Sequence, residues 1–245
     1  MSNSVKLVET KELGVHFGGL KAVSNVNFCL DQGELRCLIG PNGAGKTTFF
    51  RLLTGVHRPS VGTVAIDGTS IKGMQTHQIA QLGVGIKTQI PSLFDNLTVR
   101  ENIWLSARKR NSRTEADSIA DDVLETIKLT DEAKSEVAKL SHGQRQWVEL
   151  GVVIAAKPRL ILLDEPAAGM TGHERERTAD LIKDINKHCA MIVVEHDMEF
   201  IKMIAKTVTV FNRGEVLMED TVDKVLSDQR VKDVYLGKQI GGVTL

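Results

Sequence analysis

The sequence predicts an α/β fold: a mostly parallel sheet with flanking helices, an antiparallel β part at the N-terminal end, and an inserted helical region over roughly residues 90–155. Three observations carry this expectation. Short apolar runs at 160–163 (LILL), 191–194 (MIVV) and 208–211 (VTVF) are separated by helix-like stretches. That is the pattern of parallel strands covered on both faces. The N-terminal part alternates apolar and polar residues between turn dipeptides. From about Leu97 to Ala138 the chain is charged, with Ile119, Val123, Leu124 and Ile127 at helical spacing.

Taken in order, Leu13, Val15 and Phe17 alternate with Gly14 and His16, which reads as a strand. Val23, Val26 and Phe28 lead to a turn at Asp31-Gln32-Gly33, and 35–39 forms a short strand ending at Gly40. Residues 61–66 are rich in β-branched side chains and close at Asp67-Gly68, a turn dipeptide. A short helical tail is expected over roughly 221–245. There is no internal repeat and no low-complexity segment.

A chain of 245 residues accommodates one large domain, or a domain with a subdomain. Lys plus Arg and Asp plus Glu both total 31, so the net charge is zero. A global basic field that would attract nucleic acid or anionic lipid is therefore excluded. Cys29, Cys37 and Cys189 are odd in number and widely spaced. They form no metal pattern and suggest buried thiols in a reducing compartment. The opening residues lack the apolar core of a signal peptide. No stretch reaches the ~18 apolar residues of a membrane helix. The expectation is a cytosolic protein that does not span a membrane.

Residues 40–47 (GPNGAGKT) fit G-x-x-x-x-G-K-[ST], after a predicted strand and before an apolar helix-like run containing Phe49, Phe50, Leu52 and Leu53. Gly40, Gly43 and Gly45 let the backbone curl so that N–H groups of the loop converge on phosphate oxygens, with Pro41, Asn42 and Ala44 completing the binding loop. The helix that follows adds its positive end. Lys46 would reach the β- and γ-phosphates, Thr47 would ligate Mg²⁺, and Thr48 would support a phosphate contact.

The run 160–163 ends in Asp164 and Glu165. Ligands sit at the C-terminal edge of strands in open α/β sheets. Asp164 is placed there to bind Mg²⁺ through its water shell, and Glu165 to polarise an attacking water for ATP hydrolysis. His196 follows the run 191–194 in the same way and would contact the γ-phosphate while holding Glu165 in position. Gln89 lies where the sheet gives way to the helical region. It would touch Mg²⁺ or the attacking water. Phe17 is suited either to stacking on adenine or to core packing.

Residues 140–144 (LSHGQ) raise a different question, because one phosphate loop already serves one nucleotide. Ser141 with Gln144 three residues on has the form of a capping box. A capped helix start with Gly143 in its first turn exposes N–H donors and a positive dipole end. Ser141, Gly143 and Gln144 are thus suited to hold a second γ-phosphate, that of another subunit. Two chains head to tail would trap two nucleotides, and hydrolysis would release the pair.

Together these motifs, in this order and spacing, resemble the ATP-binding cassette (ABC) ATPases over almost the whole chain: 40–47 (Walker A), Gln89 (Q-loop), 140–144 (signature), 160–165 (Walker B with the catalytic glutamate) and His196 (switch histidine). The resemblance implies a P-loop nucleoside triphosphatase fold with an inserted helical subdomain, and a dimer of cassettes that drives membrane permeases. Residues 17–22 (FGGLKA), 165–171 (EPAAGMT), 194–198 (VEHDM) and 235–237 (YLG) look like the branched-chain amino-acid and urea uptake group. Residues 33–37 (GELRC), 140–147 (LSHGQRQW) and 169–171 (GMT) are most similar to the urea-transport ATP-binding subunit. Such systems imply two permease subunits, a second ATPase subunit and a periplasmic solute-binding protein, with this chain peripheral on the inner face of the membrane.

One departure stands out. The usual pattern after Asp-Glu-Pro ends in an aspartate, and here Thr171 takes that place. It leaves open how the two ATP sites communicate. A soluble ABC ATPase acting on nucleic acid or ribosomes is the alternative; one cassette, no heptad array and neutral charge argue against it. An ordinary phosphate-loop kinase would not account for LSHGQ or His196. A non-hydrolysing cassette is disfavoured because Glu165 and His196 are both present. The stretch from Leu93 to Leu105 is the expected docking surface for a permease helix.

Overall fold

The computed structural model describes residues 6–88 and 92–236. Gln89 lies outside the described residues, as does Gly237 of the YLG stretch. Two sheets organise the chain. The first is antiparallel and contains β1 (Lys6–Phe17), β2 (Leu20–Asp31), β4 (Val61–Ile66) and β5 (Thr69–Ser70), in the order β2-β1-β4-β5. The second contains β3 (Leu35–Ile39), β6 (Val84–Lys87), β7 (Leu160–Asp164), β8 (Ala190–Val194), β9 (Thr207–Asn212) and β10 (Glu215–Thr221). Its order is β10-β9-β3-β8-β7-β6, parallel throughout except for the β9–β10 hairpin.

The apolar runs fall where the sequence predicts strands, and side-chain alternation explains why they are continuous. Cys37, Ile39, Ile161, Leu163, Met191 and Val193 pack into one buried cluster with the helices. Leu38, Leu160, Leu162, Ile192 and Val194 pack on the opposite face, against the antiparallel sheet and α1 (Lys46–Leu53). Neither face of the central strands meets water, so neither needs polar residues. Phe49 of α1 anchors this second layer, its ring 5.3 Å from Phe28 and 5.2 Å from Phe211.

Between the sheets' strands run α2 (Thr76–Gln81), α3 (Val99–Arg108), α4 (Arg113–Thr126) and α5 (His142–Ile154). Thr98, Ser112 and Ser141 each cap a helix, with Glu101, Glu115 and Gln144 completing the capping box. The helical expectation for 97–138 holds over α3 and α4. It gives way after Thr126, where Lys128 adopts φ 54°, and only a 3₁₀ turn at Val137–Lys139 follows. Beyond β7 come α6 (Gly172–Asn186) and α7 (Met198–Ile204), and the described part of the tail forms α8 (Val222–Ser227) and α9 (Gln229–Leu236), residues 237–245 lying outside the described residues. Among the described residues, no helix is long and apolar enough to cross a membrane.

Candidate functional site at the carboxyl edge of the parallel sheet

β3, β8 and β7 are neighbours in the sheet, and candidate residues lie at or just beyond the end of each. The phosphate loop follows Ile39, Asp164 closes β7 with Glu165 next, and His196 stands two residues past Val194. In open α/β sheets ligands bind in the crevice outside the carboxyl ends of the strands.

The loop depends on its glycines. Gly40 has φ 146°, and a Cβ on it would lie 2.2 Å from the Phe211 carbonyl oxygen. Gly45 starts α1 at φ 105°, and its Cβ would meet the Ala22 oxygen at 2.6 Å. Any side chain at either position would displace backbone. Lys46 Nζ donates to the Gly40 and Pro41 carbonyls, at 2.5 and 3.1 Å, folding back over the loop it follows. Burial holds its pKa below the usual lysine value, opposed by the charges of Glu165 and Asp164.

A cleft of about 560 Å³ brings Asn42, Lys46, Thr47, Thr48, Asp164 and Glu165 together with Phe17 on its wall. Phe17 is 46% exposed, with its ring edge-on to His57 at 5.1 Å. The exposed ring face suits a flat ligand, so the core-packing alternative does not hold. Arg213 and Lys21, which the sequence reading did not select, also line the cleft.

The carboxylates differ in environment. Asp164 is buried, and its Oδ1 has no hydrogen-bond partner. Burial, then the adjacent Glu165, push its pKa above the ordinary aspartate value; Lys46, Lys87 and Arg51 pull it down. An orphaned buried oxygen in a cleft that Thr47 also lines fits a hydrated cation. Among the described residues no three His, Cys, Asp or Glu side chains gather to hold a metal. Glu165 sits at φ 49°, a conformation that a non-glycine residue holds only when its surroundings enforce it. Its N–H donates to the Val194 carbonyl, and its Oε1 lies 3.5 Å from His196 Nδ1.

Behind these residues lies a support that the sequence reading missed. Glu195 is buried; its carboxylate accepts the N–H of Ala167 at 3.2 Å and that of His196 at 3.2 Å. It fastens the segment after Glu165 to the segment bearing His196, at the cost of a carboxyl pKa raised by burial. The signal was an acid immediately after an apolar strand. Asp197 caps α7 and pairs with Arg175 of α6.

The LSHGQ segment forms the capped start of α5. Ser141 Oγ accepts the Gln144 N–H, and Gln144 Oε1 accepts that of Ser141 at 3.0 Å. Gln144 Nε2 donates to Glu132, so its side chain is engaged within the subunit. Ser141 is exposed, whereas Gly143 is buried against Glu174; a Cβ there would lie 2.3 Å from Glu174 Oε1. The intervening His142 reaches the Ala168 carbonyl at 3.1 Å. Thr171, in place of the expected aspartate, caps α6 in a box with Glu174.

Glycine loop, paired acids and histidine at one sheet edge define a nucleotide-hydrolysing cassette. Residues 23–168 match the family described as ABC transporter. The chain belongs to the ABC transporter family and is an ATP-binding cassette ATPase. It is 33% identical to the high-affinity branched-chain amino acid transport ATP-binding protein LivG of Escherichia coli K12, over 96% of this chain and 99% of that one. It is 32% identical to the corresponding BraF of Pseudomonas aeruginosa, covering 95% and 98%. The ADP conformation of MJ1267, an ATP-binding cassette of an ABC transporter, superposes with a TM-score of 0.85 at 24% identity, covering 95% and 99%. That likeness shows the fold.

Proposed function

We propose that this chain is the ATP-hydrolysing subunit of an importer of the branched-chain amino-acid and urea uptake group, working on the inner face of the cell membrane. The observation that carries it is the convergence of Lys46, Thr47, Asp164 and Glu165 in one cleft, with His196 against Glu165. The importer reading draws on LivG and BraF, whose names assign them to branched-chain amino-acid transport. Urea is favoured by residues 33–37, 140–147 and 169–171, the stretches that resemble the urea-transport subunit.

In this reading the backbone N–H groups of Gly40 and of 42–48, together with Lys46, bind the phosphates of ATP, and Phe17 stacks on adenine. Thr47, Asp164 and Gln89 would hold a magnesium ion, which would neutralise phosphate charge. Glu165 takes a proton from the attacking water, and His196 keeps the carboxylate aimed. Ser141 and Gly143 close on the γ-phosphate held by another cassette, identical or different. Residues 90–155 act as the helical subdomain. Within it, the stretch from Leu93 to Leu105, with Phe94 61% exposed, meets one of two permease subunits, which a periplasmic binding protein supplies with solute.

Uptake of labelled urea and labelled leucine is compared in cells with and without the chain, and with Glu165→Gln in its place. Loss of urea uptake alone supports the urea reading, and loss of leucine uptake alone supports the amino-acid reading. Unchanged uptake of both contradicts the importer.

A further inference from the structure

Lys87 closes β6, and Glu149 lies in the middle of α5. Their side chains are 3% and 5% exposed, and Lys87 Nζ is 3.3 Å from Glu149 Oε2. Charges this deeply buried occur in pairs, because an unpaired one is not tolerated. Yet this pair is not arranged for greatest stability: Glu149 Oε1 is buried and has no partner. Two aliphatic side chains would fill the space without that desolvation. The pair does fix a position. Lys87 is opposite Leu163 in the β6–β7 ladder, one residue before Asp164. Glu149 stands on the same helix as Ser141, about 12 Å further along its axis. A helix moves as a rod over that distance.

We propose that Lys87 and Glu149 are positioning residues that link this chain's nucleotide and magnesium site to its own signature helix. Nucleotide bound at Lys46 and Asp164 is thereby registered at Ser141 and Gly143, before any second cassette arrives. The link rests on the reading of Asp164 and α5 given above.

Trp147, two residues before Glu149, is a built-in reporter. Its Nε1 donates to Thr178 at 2.8 Å, and Arg177 lies over its ring at 3.7 Å. The chain has two tryptophans, so Trp104→Phe leaves Trp147 as the sole emitter. In that background, magnesium-ATP is titrated at protein concentrations where light scattering shows single subunits. Binding is measured separately by equilibrium dialysis. Trp147 emission is expected to change as ATP saturates. Glu149→Gln and Lys87→Met are expected to bind ATP within about twofold of the parent while losing most of the Trp147 response. The paired Lys87→Met/Glu149→Leu variant leaves no unpaired charge. It is expected to melt no lower than the parent and still to lose the response. Full response in the variants, or a silent Trp147 in a parent that binds ATP, overturns the link. A parent that binds no ATP refutes the nucleotide site itself, and the link with it.

Discussion

His196 Nδ1 stands 3.5 Å from Glu165 Oε1, although the two residues follow different strands. The pairing exists because β7 and β8 are adjacent and parallel, with Asp164 opposite Val194. In the proposed function Glu165 supplies the base and His196 its orientation. Glu165→Gln is expected to keep ATP binding and to lower kcat by about 10²–10⁴-fold, the worth of a placed general base. His196→Ala is expected to lower kcat with little change in KM. Steady-state hydrolysis of both variants is the check.

Asp164 lacks a hydrogen-bond partner for its buried Oδ1, and burial holds its pKa above the ordinary aspartate value. A folded-state carboxyl with a raised pKa binds its proton more tightly than the unfolded chain does. Stability of the nucleotide-free protein therefore falls as pH rises from the unfolded aspartate pKa to the folded one. Asp164→Asn removes that penalty. Its melting temperature is expected to exceed the parent's at pH 7, by about 2–4 °C for each kcal/mol relieved, and the gain to vanish near pH 4. The same variant is expected to lose magnesium-dependent hydrolysis.

Phe17 offers an exposed ring face to the cleft, and base–aromatic stacking is worth about 1–3 kcal/mol. Phe17→Ala is expected to raise KM for ATP by about 5–150-fold with kcat nearly unchanged, and Phe17→Tyr to restore it. Hydrolysis rates across a range of ATP concentrations provide the test.

Thr171 caps α6, a role that the aspartate usual at this position can also fill. Thr171→Ala is expected to cost about 1 kcal/mol, and Thr171→Asp almost nothing. Thermal melts separate these outcomes. A wild-type melt for Thr171→Ala would show that the cap carries no weight.

Much of the site was legible because its motifs are local. The phosphate loop, the acids after 160–163 and the LSHGQ cap each declare themselves within a few residues. The strand β6 did not, since Val84–Lys87 is short and contains Gly85, leaving no period to read. β10 and α2 were missed as well; β10 is only partly buried and lacks the apolar run of the central strands. The contacts that join motifs were out of reach for another reason. Lys87–Glu149, His142–Ala168 and Glu195–Ala167 pair residues far apart in the chain, and only the order β3-β8-β7-β6 brings them together.

The central claim is that LSHGQ serves the ATP of a second cassette. Light scattering of Glu165→Gln protein, with and without magnesium-ATP, tests it most directly. A single subunit is expected without nucleotide and twice that mass with it, because the trapped γ-phosphate holds Ser141 and Gly143 of each copy. A single-subunit mass at saturating ATP, in protein that demonstrably binds it, would contradict pairing between identical copies.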